Sequence, residues 1–504
     1  HRDLHSFPTR RSSDLLLVYP EYPETFWSLR HALKFVSKKA AFPPLGLLTV
    51  ASMLPSSWDL KLVDMNVDPL SEKDLQSVDY VLISAMDIQR ESVLEVLELC
   101  RRNGTKTIAG GPLFTTSYGD FDDIDHLIIG EAEATLKTFL DDLGNGKANH
   151  MYSPEGFPDL SRTPIPAWDL IDMRKYSSMN VQYSRGCPFD CEFCDIVLLN
   201  GRVPRTKTTS QLLLEMDTLY EKGWRGGVFI VDDNFIGSKS KLKQDTLPAI
   251  CRWMEDREYP FSLNTEVSID LSDDEELMKL MAEANFSTVF VGIETTSEDS
   301  LAECGKFQNR NRDMLDSVKK IQKSGMQVQG GFIVGFDSDL PSVFEDLIGF
   351  IQESGIVTAM VGLLTAPTGT RLFKRLKSEN RIVSDFSGNN TGSLTNFVPK
   401  MGFGNLVEGY HKILNSIYSD RSYYKRVKTF LKSYRPVLSR RVRPASENLK
   451  AFFRSIWVLG IKERGRSYYW KLLLWTLLRR PRLFPLSVEL AIYGFHFRKA
   501  LPDT

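Results

Sequence analysis

Three cysteines fall within eight positions, in the run Cys187-Pro-Phe-Asp-Cys191-Glu-Phe-Cys194. Thiolates at this spacing can hold three irons of a [4Fe–4S] cluster, whose usual full ligation is four cysteines, so the fourth iron is left to a non-protein ligand. A structural zinc site is the competing use. It takes four ligands, often as two C-x2-C pairs, and no histidine or further cysteine stands near. Chance clustering of buried cysteines is the remaining alternative. Six cysteines in 504 residues are too few for a disulfide scaffold, which points to metal in a reducing compartment. No histidine lies between Met151 and Tyr410. That stretch therefore cannot host Ser-His-Asp catalysis, a His-ligated zinc protease site or a histidine general base.

The elements that must carry these residues are of one kind. In residues 15–146 the short apolar runs at 15–20, 60–66, 79–86, 105–111 and 126–131 read as strands, with helical stretches at 44–53 and 89–103. Strands separated by helix-sized segments predict an α/β fold with a parallel, doubly wound, Rossmann-like sheet. Such sheets bind ligands beyond the carboxyl ends of their strands. The strand endings Asp64-Met65-Asn66, Ser84-Ala85-Met86, Gly110-Gly111 and Gly130-Glu131 then share one edge. Gly110-Gly111 would let the backbone approach a large ligand closely, or would simply make a tight turn. Residues 147–178, with four prolines, read as a linker.

Six further strand-and-helix units follow in 179–376, with strands at 181–186, 227–234, 261–269, 288–295, 328–336 and 358–367. They predict a partial (β/α)6 barrel with function at the strand C-termini, and the cysteine run directly follows the first of these strands. Residues 377–504 read as irregular and then mostly helical. His1–Asp14 is basic and Ser-rich, lacks the apolar core of a signal peptide, and looks like a translated sequencing adapter, so 1–14 are set apart as non-native with the native start lost. No run of 18 apolar residues occurs, so no transmembrane helix is predicted.

The cysteine spacing, with Phe193 before the third cysteine, resembles the signature of radical S-adenosylmethionine (SAM) enzymes. In that superfamily SAM binds the open iron, and one-electron reduction cleaves it to a radical that abstracts hydrogen from an unactivated carbon; the cofactor carries the chemistry. By position, the resemblance implies that Asp232 and Asp233, with Asn234, meet the SAM amino group. Asn264 and Glu266 lie at the third strand, and Glu294 ends the fourth at the ribose. Gly331 and Gly335 form the fifth-strand GxIxG motif near adenine, with Phe193 in backbone contact. Each acid has an alternative as a surface or N-cap carboxylate. The preceding Rossmann-like domain resembles that of cobalamin-dependent members, with Ser84, Met86, Gly110 and Gly111 cradling the nucleotide tail. The histidine motif that ligates cobalt elsewhere is absent, and His31 reads as a helix-surface residue.

Longer segments, including 26–55, 83–92, 110–116, 185–197 and 364–376, look like one subfamily. Its members pair cobalamin-binding and radical SAM domains with a C-terminal domain of unassigned function, and it includes the hopanoid C-2 methylase. Pro367-Thr368-Gly369-Thr370 departs from that family's Pro-Gly-Thr step by one interposed residue. The resemblance implies a cobalamin-dependent C-methyltransferase using a [4Fe–4S] cluster, SAM and cobalamin. A non-methylating rearrangement or cyclisation is the alternative. An RNA-modifying methylthiotransferase would need a second cluster with three N-terminal cysteines, whereas that domain holds only Cys100. A non-catalytic metal-stabilised module would need a vestigial cluster. Expected partners are a small-molecule or lipid substrate and a one-electron donor such as flavodoxin or ferredoxin.

Net charge is −1, but residues 405–504 hold 21 Lys and Arg against 6 Asp and Glu, a net of +15 that leaves −16 on residues 1–404. Such asymmetry suggests a basic surface with its own partner. Lys and Arg flanking aromatic-apolar runs at 468–484 and 490–497 suit a helix at a membrane interface. Packing onto the barrel with solvated cations is the competing reading, and nucleic acid a third. The expected location is cytoplasmic, with contact at the inner membrane surface through this tail.

Overall fold

The first unit is built on a strand that is apolar on both faces. Leu15–Val18 are all buried, the pattern of a central strand in a parallel sheet covered on both sides. This is β1 (Asp14–Tyr19), flanked by β2 (Asp59–Asp64) and β3 (Tyr80–Ser84), followed by β4 (Lys106–Gly110), β5 (His126–Ile128) and β6 (Met151–Tyr152). The order β2-β1-β3-β4-β5-β6, parallel throughout, is that of a doubly wound Rossmann-like sheet. The strand order reverses between β1 and β3, so the ligand crevice falls at their carboxyl ends. Helix Arg90–Asn103 packs Val93, Val96 and Cys100 onto one face of the sheet, at the spacing of an amphipathic helix.

The computed structural model describes residues 14–76, 78–436 and 446–501. The adapter-like segment lies outside them except Asp14, which opens β1 in register with Asp59. Two compact units are present: one runs to Tyr22 and resumes at Pro44–Asp172, the other comprises Pro23–Pro43 and the chain from Met173. Two sequence expectations change accordingly. Residues 147–172 are not a bare linker: they supply β6 and bury Trp168 at 1% exposure, while Ala167 N–H bonds Leu48 O at 3.0 Å. Prolines suppress periodicity there without preventing burial. Residues 23–43, expected in the first domain, belong to the second unit.

That second unit is a six-stranded parallel partial barrel of β7 (Ser178–Val181), β10 (Gly227–Ile230), β11 (Ser262–Val267), β12 (Phe286–Glu294), β13 (Gln327–Val334) and β14 (Ala359–Leu363). An antiparallel ribbon of β8 (Ser184–Arg185) and β9 (Arg205–Thr206) stands apart from it. On β11, Leu263, Thr265 and Val267 are buried while Asn264 and Glu266 alternate as half-buried residues. The second set faces the barrel interior, in register with Thr288 and Phe290 of β12.

The barrel is open between β7 and β14, and free strand edges need cover. Beside β7, Ser177 N–H and Ser178 N–H donate to Ala40 O and Ala41 O at 3.0 Å, and Asn180 Nδ2 donates to Pro43 O. On β14, Tyr418 Oη donates to Ala359 O at 2.7 Å. Residues 23–43 span the space between. Phe42 meets Phe229, and Trp27 meets Phe290 edge-on at 5.6 Å.

Helices Phe403–Tyr418, Asp420–Ser433, Ser446–Trp457, Arg466–Arg479 and Phe484–Ala500 form the helical C-terminal region, as expected. They back the 23–43 segment. Phe497 stacks on Phe26 at 4.2 Å, and Arg454 donates to Lys34 O, Phe35 O and Ser37 Oγ at the C-terminus of helix Arg30–Val36, where a cation suits the exposed carbonyls. Arg426 is fully buried between Tyr418 and Tyr423 and donates to Ile417 O and Gln352 Oε1. Part of the tail's positive charge is thus structural.

Candidate functional site

The three cysteines lie on one loop at the carboxyl end of β7, pinched at its base by the β8–β9 ribbon. Gly186 turns the chain into the loop with φ +96°, and a Cβ there would lie 2.9–3.0 Å from the carbonyl oxygens of Asn200, Gly201 and Val203. Only glycine fits that approach. Cys187 N–H then bonds Gly201 O at 3.2 Å, and Cys194 N–H bonds Cys191 O at 3.1 Å.

The acids that end β10 clamp this loop. Asp233 accepts from Gly186 N–H at 2.8 Å and from Asn200 Nδ2 at 2.9 Å. Asp232 is 1% exposed; it accepts from Tyr183 N–H, Ser184 N–H and Ser184 Oγ, and burial pushes its carboxyl up to about 7. Asp232 thereby fixes β8 at the base of the loop. Asn234 likewise holds Ser268.

The far side of the loop is tied to the helix after β14. Glu192 accepts from Arg375 Nε at 2.8 Å, while Arg371 donates to Asp190 O. Arg375 and Arg381 both bond Asp337, and although burial pushes that carboxyl up, the two guanidiniums outweigh it and hold it at about 2. Phe193 packs beside Ile333 against the cluster that contains Cys304, Phe336 and Leu364, which brings it to the end of the β13 motif.

Glu294 ends β12 and pairs with Lys306, which the sequence reading missed. Burial opposes the Lys306 charge, but Glu294 outweighs it and pushes the ammonium above its ordinary range. Glu266 is half-buried on the inner face; burial, aided by Asp233, pushes its carboxyl up to about 7, with Lys306 opposing. Glu266 thus feels Asp233 and Lys306, and Lys306 in turn feels Cys191. Gly331 shares that face with its neighbours: a Cβ on it would lie 2.8 Å from the Phe290 ring. Gly335 N–H is held by Asp339 Oδ2 at 2.8 Å.

In the first unit, Ser84 and Gly110 are paired at the ends of β3 and β4. Gly111 has φ +97°, and a Cβ on it would lie 2.9 Å from Ser84 Oγ and 3.1 Å from Ala85 O. Met86 is 39% exposed beside them. The structure thus brings these four residues together at one strand edge, with bare backbone where a nucleotide tail would lie. His31 pairs with Glu24 at 2.5 Å in the 23–43 segment of the other unit.

The donor set fits the expected cluster. Cys187, Cys191 and Cys194 are free, half-buried thiols, and burial pushes all three above the ordinary thiol range, so metal must displace their protons. Among the described residues no three His, Cys, Asp or Glu side chains converge to hold a single metal ion. Three thiols on one loop match the three protein-held irons of a [4Fe–4S] cluster. Beside Cys191, Gln308 places Nε2 at 4.0 Å from the sulfur and leaves Oε1 buried without a partner among the described residues, an acceptor for a bound ligand.

Comparison with known proteins agrees with this arrangement. Residues 36–140 match the B12 binding domain, 181–351 the Radical SAM superfamily and 370–503 a domain of unknown function (DUF4070). An uncharacterized methyltransferase of Synechocystis sp. is 40% identical, over 96% of this chain and 91% of its own length. The hopanoid C-2 methylase of Rhodopseudomonas palustris is 32% identical over 93% and 90%. The solved structure of the cobalamin-dependent S-adenosylmethionine radical enzyme OxsB with aqua-cobalamin bound shares the fold, with TM-score 0.62 at 16% identity over 97% of this chain and 80% of that one.

Proposed function

The chain belongs to the family of cobalamin-binding radical SAM methyltransferases with a DUF4070 domain, which includes the hopanoid C-2 methylase, and from that premise we propose that it methylates an unactivated carbon of a polycyclic lipid. As a radical SAM enzyme with a B12 binding domain it uses a [4Fe–4S] cluster, SAM and cobalamin. Bound together, these groups supply one-electron cleavage of SAM, hydrogen abstraction and a transferable methyl group.

The observation that carries the reading is the clamped cysteine loop at the mouth of an aromatic-lined barrel. Cys187, Cys191 and Cys194 hold the cluster irons. Gly186, Asp233 and Asp232 fix the loop, and Arg375 steadies Glu192 between the second and third cysteines. Ser84, Met86, Gly110 and Gly111 receive the cobalamin tail. Phe193, Asp233, Glu266, Glu294, Gly331 and Gly335 surround SAM, with Lys306 fixing Glu294. Phe229, Phe290, Met360 and Trp27 exclude water from a radical and offer an apolar wall to a ring system. The similarity to a hopanoid methylase supports a lipid substrate of that kind. Electrons come from a flavodoxin- or ferredoxin-type donor.

Anaerobic reconstitution with iron, sulfide and cobalamin, followed by reductant, deuteromethyl-SAM and a pentacyclic triterpene, tests the proposal. The expected result is deuterated methyl in the triterpene and deoxyadenosine in wild type, both lost in Cys191→Ala. Deoxyadenosine that persists in Cys191→Ala overturns the cluster assignment. Deoxyadenosine without label in any product favours rearrangement or cyclisation instead.

A further inference from the structure

Exposed apolar surface is concentrated in one helical hairpin of the C-terminal region. Helix Ser446–Trp457 continues through Val458–Lys462 and turns into helix Arg466–Arg479. Leu449, Phe453, Trp457 and Ile461 recur every four residues along the first arm, so they form one stripe. Trp470, Leu474, Leu477 and Leu478 are the exposed large apolar residues of the second. All eight are 45–71% exposed. They are eight of the 23 large exposed hydrophobics among the described residues, in a thirty-residue stretch. Trp470 joins the two arms: its ring lies 3.0 Å from where a Cβ on Gly460 would stand, and its Nε1 donates to Gly460 O at 3.0 Å. A concentration of this kind marks an interaction surface.

The polar rim identifies the partner. Lys450, Lys462, Arg464, Lys471, Arg479 and Arg482, interspersed with or next to these apolar residues in sequence, are all exposed. Between Leu449 and Arg482 the sequence has a single acid, Glu463. Lys462 Nζ stands 5.1 Å from the Trp457 ring, charge and aromatic side by side as at a lipid headgroup. A second copy seated on this face would set cation against cation with almost no counter-charge, and protein interfaces are depleted of lysine. An anionic bilayer supplies both the apolar phase and the negative charge. No helix among the described residues is long and apolar enough to cross a membrane, so a hairpin that meets a bilayer lies in its surface.

We propose that the hairpin 446–479 docks the enzyme on anionic lipid membranes, with Leu449, Phe453, Trp457, Trp470 and Leu474 entering the headgroup–acyl boundary. The inference stands on the surface alone and does not require the methyltransferase reading.

Co-sedimentation of the full-length chain with vesicles tests it, comparing phosphatidylcholine alone with mixed phosphatidylcholine and phosphatidylglycerol. Wild type is expected to bind the anionic vesicles, with a blue shift of tryptophan emission, and to be released as salt rises from about 0.1 M to about 1 M. Phe453→Ser/Trp457→Ser and Leu474→Ser/Leu478→Ser are expected to lower partitioning about tenfold or more. These side chains are exposed, so circular dichroism melts should match wild type. Wild type that ignores anionic vesicles overturns the proposal, as does a variant that binds them equally well. A concentration-dependent dimer that the variants abolish, without vesicle binding, assigns the face to a second copy instead.

Discussion

Trp27 donates its indole N–H to Met360 Sδ at 2.9 Å, joining the segment before the first helix to the last strand of the barrel. Met360 is in register with Gly331, so Trp27 sits on the inner wall beside the GxIxG strand. Its ring is 40% exposed. Trp27→Ala removes this bond and the edge contact with Phe290, and is expected to destabilise the second unit by about 1–3 kcal/mol. Thermal unfolding checks this. Trp27→Phe should recover most of the loss, because the ring contact outlasts the single N–H.

Gly186 makes a sharper demand. Alanine there would hold an unfavourable φ against three carbonyl oxygens, a strain of about 1–3 kcal/mol before any clash is counted. The barrel strands do not depend on that turn, so Gly186→Ala is expected to fold yet bind cluster poorly. Iron and sulfide per chain after anaerobic reconstitution measure it. Wild-type iron content in the variant would sink the claim that this turn sets the cysteine loop.

The alternation of apolar runs with helical periods was enough to read both parallel sheets from sequence, because strands covered on both faces are continuous and apolar, as at Leu15–Val18. The cysteine loop was equally legible, since its ligands are local in the chain. What was not legible was long-range. Nothing local to Asp232 says that it accepts from Tyr183 and Ser184. Lys306 follows Glu294 by twelve residues with no motif to pair them. Trp27 and Phe42 precede an apolar helix of the first domain in sequence, and only the open edge of a barrel that begins at residue 178 explains where they go.

Asp337 gives a prediction at low pH. Arg381 and Arg375 hold its carboxyl at about 2 against burial, below the unfolded value of about 3.9. A depressed folded value means stability that is complete above about pH 4 and lost as pH falls toward about 2, amounting to about 2–3 kcal/mol. Asp337→Asn is expected to be less stable at neutral pH and to lose less than wild type below pH 4. Denaturant melts across that window decide it; parallel curves would remove Asp337 from the account.

His496 acts in a higher window. Fully buried in helix Phe484–Ala500, it is pushed down by burial to about 4, against the opposing bond from Nε2 to Phe26 O at 2.9 Å. His31 across from it lowers the value further and Glu24 raises it. Its Nδ1 has no partner among the described residues, so the neutral ring with hydrogen on Nε2 is the form that fits. Unfolded histidine takes up its proton near 6.5, so between about 6.5 and 4 the unfolded chain binds more protons and stability falls with pH, by about 3 kcal/mol in all. His496→Gln keeps a donor for Phe26 O but cannot titrate. It is expected to flatten the stability profile between pH 6.5 and 4 while leaving the Asp337 loss below pH 4 in place. Because Phe26 adjoins Trp27, fluorescence of Trp27, read against the Trp27→Phe variant, should report the same acid transition in wild type and miss it in His496→Gln.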